Sequence, residues 1–253
     1  MTTQTQLLRS AGRGLTYGIG AAAGVYAAYV AGTWLRYGRA QPATGDDQDP
    51  RLDRFMPACE IAERHHVHVA APAAITLAAA CDVDLQQSAI IRAIFKGREL
   101  ILGSDPDQPG HPRGLVPFAK GLGWGVLDEI PGREIVFGAV TRPWEANVVF
   151  RALPPHAFAA FNEPDYVKIA WTLRADPIDA RESIARTETR VTTTDPGARE
   201  KFRRYWAVFS PGIVLIRRVM LKRVKAEAER RAVADTPADR FDLVSTGDLD
   251  SQC

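Results

Sequence analysis

The sequence predicts an α+β domain in which an antiparallel run of strands is followed by one long amphipathic helix. Three observations carry that expectation. In YVKIAWTLRADPI, Val167, Ile169, Trp171 and Leu173 alternate with Lys168, Thr172 and Arg174, the period-two pattern of a half-buried strand. In RESIARTETRVTTT, Glu182, Arg186, Glu188 and Arg190 share one side, and Ala185, Thr187, Thr189 and Val191 share the other. From about Ala198 to Arg231, Phe202, Tyr205, Trp206, Phe209, Ile213, Ile216 and Met220 recur at three- and four-residue steps, a broad aromatic-rich helical stripe.

Composition agrees with a domain that has a sizeable core: 46% of the 253 residues are hydrophobic and 25% are charged. A net charge of +2 is too near neutral to suggest nucleic acid. Cys59, Cys81 and Cys253 are scattered and form no CxxC, so neither a disulfide framework nor a zinc knuckle is expected.

The chain begins with a short N-terminal tail, 1–14. The next segment, LTYGIGAAAGVYAAYVAGTWL over 15–35, carries no charge and has about the length of a bilayer-spanning helix. Arg9 and Arg13 flank it on one side and Arg36 and Arg39 on the other, with Trp34 and Tyr37 at interfacial positions. The expectation is a single-pass N-terminal membrane anchor, with a cleaved signal peptide as the rival. Basic residues on both flanks leave its orientation unassigned. Gly18, Gly20 and Ala23 match a dinucleotide fingerprint only as a pattern, since no strand precedes them and no acidic residue follows at the required distance. Gly20, Gly24, Ala28 and Gly32 recur every four residues and would permit a weak homodimer through the anchor, although any Ala/Gly-rich helix yields such spacing.

Residues 36–58, which include QPATGDDQDP, are expected to be a linker. The folded domain is expected over 59–231, followed by a disordered acidic tail over 232–253. Within the domain, RHHVHVAAP reads as a strand. Val67, Val69 and His65 point inward while Arg64, His66 and His68 point out, and two histidines at i, i+2 are too few ligands for a metal site. AAITLAAACDVDLQQSAIIRAIFKGRELIL reads as two helices broken near Asp82 to Gln87. Gly103 to Pro117 reads as a loop, and GWGVLDEI and EIVFGAV as strands joined by a Pro131–Arg133 turn. On the last helix, Pro211 should introduce a kink, and Arg203, Arg204, Arg217, Arg218, Lys222, Arg223 and Lys225 are expected mainly on a solvated face.

The stretches HHVHVAAPAAITLAAA, WGVLDEIPGREIVFGAVTRPW, FNEPDYVKIAWTLRADPI, ARTETRVTTTD and AREKFRRYWAVFSPGI, in that order, resemble the SRPBCC superfamily. These are START/Bet v 1-like proteins, among them a bacterial group described as polyketide-cyclase-like. The resemblance implies a helix-grip fold: a curved antiparallel sheet wrapped around the C-terminal helix, with a cavity between them. It further implies that Phe202, Trp206, Phe209 and Ile213 face the sheet, that Ile169, Trp171, Thr187 and Thr189 form the opposite wall, and that Phe95 covers the mouth. The same residues could equally fill a closed core.

Three functions follow as alternatives. The first is a membrane-tethered module that binds a hydrophobic small molecule or lipid without catalysis. The second is a cyclase- or aromatase-like enzyme, for which His65 and Tyr205 are the available acid–base groups. The third is an interaction scaffold with a closed core. No nucleophile elbow, phosphate loop or metal triad is present in the sequence, so no catalytic residue, metal or cofactor is assigned.

Overall fold

The structure is a computed structural model that describes residues 20–105 and 112–235. The chain opens with helix α1 (residues 20–36) and then α2 (Pro50–Phe55). Strand β1 (Ile61–Val69) leads into α3 (Ala73–Asp82), α4 (Ala89–Leu102) and α5 (Leu115–Gly121). Strands β2 (Gly125–Ile130) and β3 (Glu134–Thr141) precede α6 (Pro155–Ala160). Strands β4 (Val167–Pro177) and β5 (Ser183–Thr193) are followed by α7 (Pro196–Asp235). The five strands form one sheet in the order β1-β5-β4-β3-β2, antiparallel throughout. Helices α3 and α7 pack on one face, and α2 and α6 pack on the other. A five-stranded antiparallel sheet under a long C-terminal helix is the helix-grip arrangement that the resemblance implies.

Strand periodicity explains the two faces. On β4, Val167, Trp171, Leu173 and Ala175 belong to the clusters under the helices, whereas Ala170 belongs to the cluster under α2 and α6. On β5 the division is chemical. Ala185, Thr187, Thr189 and Val191 share the helix side, while Arg186, Glu188 and Arg190 turn to the other, hereafter the outer face. The β2–β3 turn closes at Gly132, whose φ of +72° suits glycine. Helix α7 starts at a cap: Asp195 Oδ1 accepts from the Gly197 amide at 2.8 Å and the Ala198 amide at 3.0 Å.

The outer face is an ionic clasp. Arg174 donates to the Gln48 carbonyl (2.9 Å), the Asp46 carbonyl (2.7 Å) and Asp176 (2.8 Å). Arg186 bridges Asp47 (2.7 Å) and Asp176 (2.8 Å). Arg190, with its side chain only 4% exposed, holds Glu188 (2.7 Å), Asp53 (2.5 Å) and the Met56 carbonyl (2.8 Å). Together these bonds fasten residues 46–56 across β4 and β5. The stretch expected to be a linker, 36–58, therefore carries a helix whose Leu52 and Phe55 are buried beside Met56. Asp49 caps that helix through the Leu52 amide (2.9 Å), and Pro50 occupies its first turn.

The expected membrane anchor is overturned. No helix among the described residues is long and apolar enough to cross a membrane. Alanine and glycine, rather than large aliphatics, make up most of the 15–35 segment. The described part of that segment lies against α7. Tyr26 Oη donates to the Val208 carbonyl at 2.6 Å, Tyr29 Oη lies 3.3 Å from Ser210 Oγ, and Arg203 donates to the Trp34 carbonyl at 2.8 Å while its guanidinium covers the Trp34 ring. Within the chain a Cβ added at Gly20 or Gly24 would touch nothing within 4 Å, and one at Gly32 would lie 3.4 Å from the Arg36 side chain. The tail over 1–14 and residues 15–19 lie outside the described residues, as do 236–253 of the expected acidic tail; 232–235 continue α7. Two further short helices occur: α5 begins inside Gly103–Pro117, expected to be a loop, and α6 lies in a stretch for which no element is expected.

Arg190→Met should cost about 3 kcal/mol in a urea titration, because the buried Glu188 would lose a partner that is desolvated with it. A cost below about 1 kcal/mol would show that the clasp is solvated like a surface pair.

Candidate functional site

Between the sheet and α7 the apolar core is split. One cluster contains Val69, Trp171, Leu173, Ala185, Met220 and Val224, and the other contains Ile61, Val167, Val191, Phe202 and Trp206. The break falls at corresponding positions on each element. On β1 it is Glu63 and His65, between Ile61 and Val67; on β5 it is Thr187 and Thr189, between Ala185 and Val191. His65 pairs with Thr187, and Glu63 with Thr189, in the strand register. Across this polar belt, α7 presents Arg217 and Arg218, which act on the charges of His65 and Glu63.

The belt is incompletely satisfied. His65 Nε2 and Thr187 Oγ1 are buried and have no hydrogen-bond partner. Glu63 Oε2 is 3.8 Å from His65 Nε2, beyond hydrogen-bonding distance. Burial, then the fields of Arg218 and Arg217, hold the His65 imidazole below its ordinary pKa, so the ring is neutral at pH 7. Burial raises the Glu63 carboxyl, and Arg218 opposes that shift. Arg217 lies with its guanidinium 4.9 Å from the centre of the Trp171 ring. Burial lowers its pKa to about 10, and no carboxylate among the described residues offsets the loss of hydration. Buried polar groups in native proteins are nearly always paired, so His65 Nε2 and Thr187 Oγ1 can each make a further hydrogen bond.

The residues that the resemblance singled out are distributed around this belt. Trp171 is buried, stacked on Phe137 with ring centres 4.3 Å apart and edge-on to Trp124 at 5.9 Å. Thr187 and Thr189 are buried on the helix side, and Ile169 is half-buried beside them. Phe202 and Trp206 fill the second cluster, with Phe202 also meeting Tyr37 edge-on at 6.2 Å. Ile213 is half-buried at the margin of that cluster. Phe209 belongs to none of the core clusters and packs on Tyr205 with ring centres 4.8 Å apart. Phe95 is half-buried against the first cluster from α4. Helix α4 is itself lightly held, with only Ile91 fully buried and Ile90, Leu100 and Ile101 exposed. It approaches α7 at Gly212, where a Cβ would come within 2.9 Å of Ile94 Cγ2. Tyr205 is half-buried, and loss of hydration raises its phenol pKa against the opposing field of Arg98.

Arg217 is a correction to the expected solvated face of α7. It follows Ile213 by four residues and precedes Met220 by three, so helical geometry puts it on the apolar stripe. Arg203 also leaves solvent, for Trp34, and Lys225 donates to the His68 carbonyl at 2.8 Å. Arg218 stays exposed, as expected of the solvated face, and no sequence pattern marks Glu63 as part of a site. The signal for Arg217 was its spacing, masked by its charge.

The outer face holds a second candidate, a cleft of about 20 Å³ bordered by Asp47, Asp49, Arg64, Arg174 and Arg186, with His65 and Thr187 of the belt also lining it. Here Arg64 pairs with Glu188 at 2.9 Å, while Arg64 Nε and Glu134 Oε1 are buried without a hydrogen-bond partner. Beside it, Glu134 is buried next to Asp49. Burial, and then the Asp49 charge and hydrogen bond, push the Glu134 carboxyl up to about 8. Among the described residues no group of three or more His, Cys, Asp or Glu could hold a metal ion.

No protein-family profile and no curated protein matches the chain. Solved structures overlap it loosely. The di-domain aromatase/cyclase BexL of the BE-7585A biosynthetic pathway is 16% identical, with 66% of this chain and 46% of that one covered and a TM-score of 0.27. This chain thus spans about half of that protein. A Helicobacter pylori hypothetical protein, jhp0584, is 8% identical over 75% and 99% of the two chains, with a TM-score of 0.36. The Zhui aromatase/cyclase from Streptomyces sp. R1128 is 16% identical over 67% and 94%, with a TM-score of 0.22. Likenesses this loose identify neither a family nor a ligand.

The raised Glu134 pKa carries a pH dependence. A carboxyl whose folded pKa exceeds its unfolded value near 4.5 adds stability below that value and loses it as pH rises through about 8. Glu134→Gln, neutral at every pH, should therefore gain stability relative to the parent between pH 5 and pH 8.5 in urea titrations. An equal difference at both pH values would contradict the assignment.

Proposed function

We propose that this protein is a binding module for a small molecule with a large apolar body, held between the sheet and α7. The observation that carries the reading is the split core: two apolar clusters separated by a belt in which His65 Nε2 and Thr187 Oγ1 have no partner. An apolar site with a few convergent polar groups is the usual form of a small-molecule pocket. Ile169 and Ile213, half-buried at the break, would contact the ligand body, and Trp171 and Thr189 would flank it. Phe95 and Phe209, from α4 and α7, would lie at its entrance. Phe202 and Trp206 would close the far end. Because Trp171, Phe202 and Trp206 are tightly packed in the empty protein, entry requires α4 to yield, and its shallow burial suits it to that role. In this reading the domain extends beyond 59–231 to take in residues 46–58, which close its outer face.

A second reading keeps its own observation. A neutral imidazole with a free ring nitrogen facing a buried site is a candidate general base. Turnover of an aromatic polyketide that disappears in His65→Ala while ligand binding persists would favour an aromatase-like enzyme.

Native mass spectrometry of the protein, purified without denaturation, should find a bound apolar molecule. Ile213→Trp, which fills the break, should abolish it without unfolding the chain. Thr187→Val should reduce its occupancy and make the empty protein more stable by about 1–2 kcal/mol, since an unpaired buried hydroxyl is removed. Protein that carries no molecule and is destabilised by Thr187→Val would contradict the reading.

A further inference from the structure

The interior belt has a charge pattern as well as a gap. Arg217 and Arg218 face a single carboxylate, Glu63, and Arg218 is the one that acts on it. The remaining cation, Arg217, lies over Trp171 on the apolar stripe of α7, with no acidic partner among the described residues. Arg217 shares this with Arg203, which meets only the Trp34 carbonyl and ring, whereas Arg174 and Arg186 reach Asp176, and Arg190 reaches Glu188 and Asp53. Arg217 is half-buried, and a guanidinium that loses water with no acid beside it is costly, so an anion placed there would be stabilising. The guanidinium fork fits a planar carboxylate with two parallel hydrogen bonds. His65 Nε2 and the Thr187 hydroxyl, both without partners nearby, can add a further bond each.

We infer that Arg217 receives the acidic group of an amphiphilic carboxylate whose apolar body lies against Trp171, Ile169 and Ile213. This rests on the interior-site reading and adds a ligand class to it: one negative charge on a hydrophobic frame. Neutral amphiphiles of the same shape would bind more weakly because they leave the guanidinium unpaired. Glu63 and Arg218, at the outer margin of the belt, would exclude a second negative charge by keeping the local balance near neutral once the carboxylate is bound.

The test is calorimetric titration of the full chain, freed of bound material, with dodecanoate and with 1-dodecanol at pH 8. Wild type should bind dodecanoate roughly ten-fold or more tighter than dodecanol, the margin of a charge-assisted pair. Arg217→Met should lose that margin while binding dodecanol as before, and Arg217→Lys should keep part of it. Without ligand, Arg217→Met should melt at a higher temperature than wild type, because an unpaired buried charge is gone. Equal affinity of wild type for both probes, or an unchanged margin in Arg217→Met, would overturn the role of Arg217 and leave the interior site standing. Failure of both probes in wild type that also shows no co-purified molecule would overturn the site itself.

Discussion

Helix α7 lies along the helix-facing sides of β1 and β5, and strand periodicity decides what it meets there. Alternate residues put Ile61, Glu63, His65 and Val67 on one side of β1, and Val191, Thr189, Thr187 and Ala185 opposite them on β5. The ends of both rows are apolar and the middle is polar, so the helix seals against the sheet at two places and not between them. The half-burial of Ile169 and Ile213, the orphan atoms of His65 and Thr187, and the unpaired charge of Arg217 all fall at that interruption. A core designed only for stability would carry valine or leucine at these positions.

The outer face makes the contrast sharper. It holds more charge than the interior, yet nearly all of it is closed into pairs: Arg174, Arg186 and Arg190 each reach an acid and a carbonyl or second acid in the 46–56 segment. That network is a fastening. It fixes α2 over β4 and β5 and so holds the sheet from behind while α7 presses on it from the front. With one side tied by paired charges, the polar break on the other side is where the proposed ligand would lie.

Much of this architecture was legible in the residues. The alternation in β4 and β5 gave the correct face to each side chain, and Val67 and Val69 did the same for β1. The break between α3 and α4 was visible at Asp82 to Gln87. What was missed has physical reasons. The 15–35 segment has the length of a membrane span but mostly small side chains, and its tyrosines and Trp34 contact α7 instead. Helix α2 is six residues long and sits in an acidic stretch that looks like a linker; only the Asp49–Pro50 start announced it, and its acids serve distant arginines that no local pattern reveals. Arg217 was assigned to solvent because it is charged, although its spacing put it on the stripe. The split in the core was not visible either, since it depends on which residues of three separate elements come to the same level.

The central claim is that the polar break between the two core clusters is a ligand site. A crystal structure of the protein, purified gently and refined to a resolution that shows ordered water, tests it most directly. The account predicts continuous density longer than a water cluster, in contact with His65 Nε2, Thr187 Oγ1 and the Arg217 guanidinium, with Ile169 and Ile213 against it. One or two waters bridging those same atoms, with the isoleucines closed over them, would contradict it.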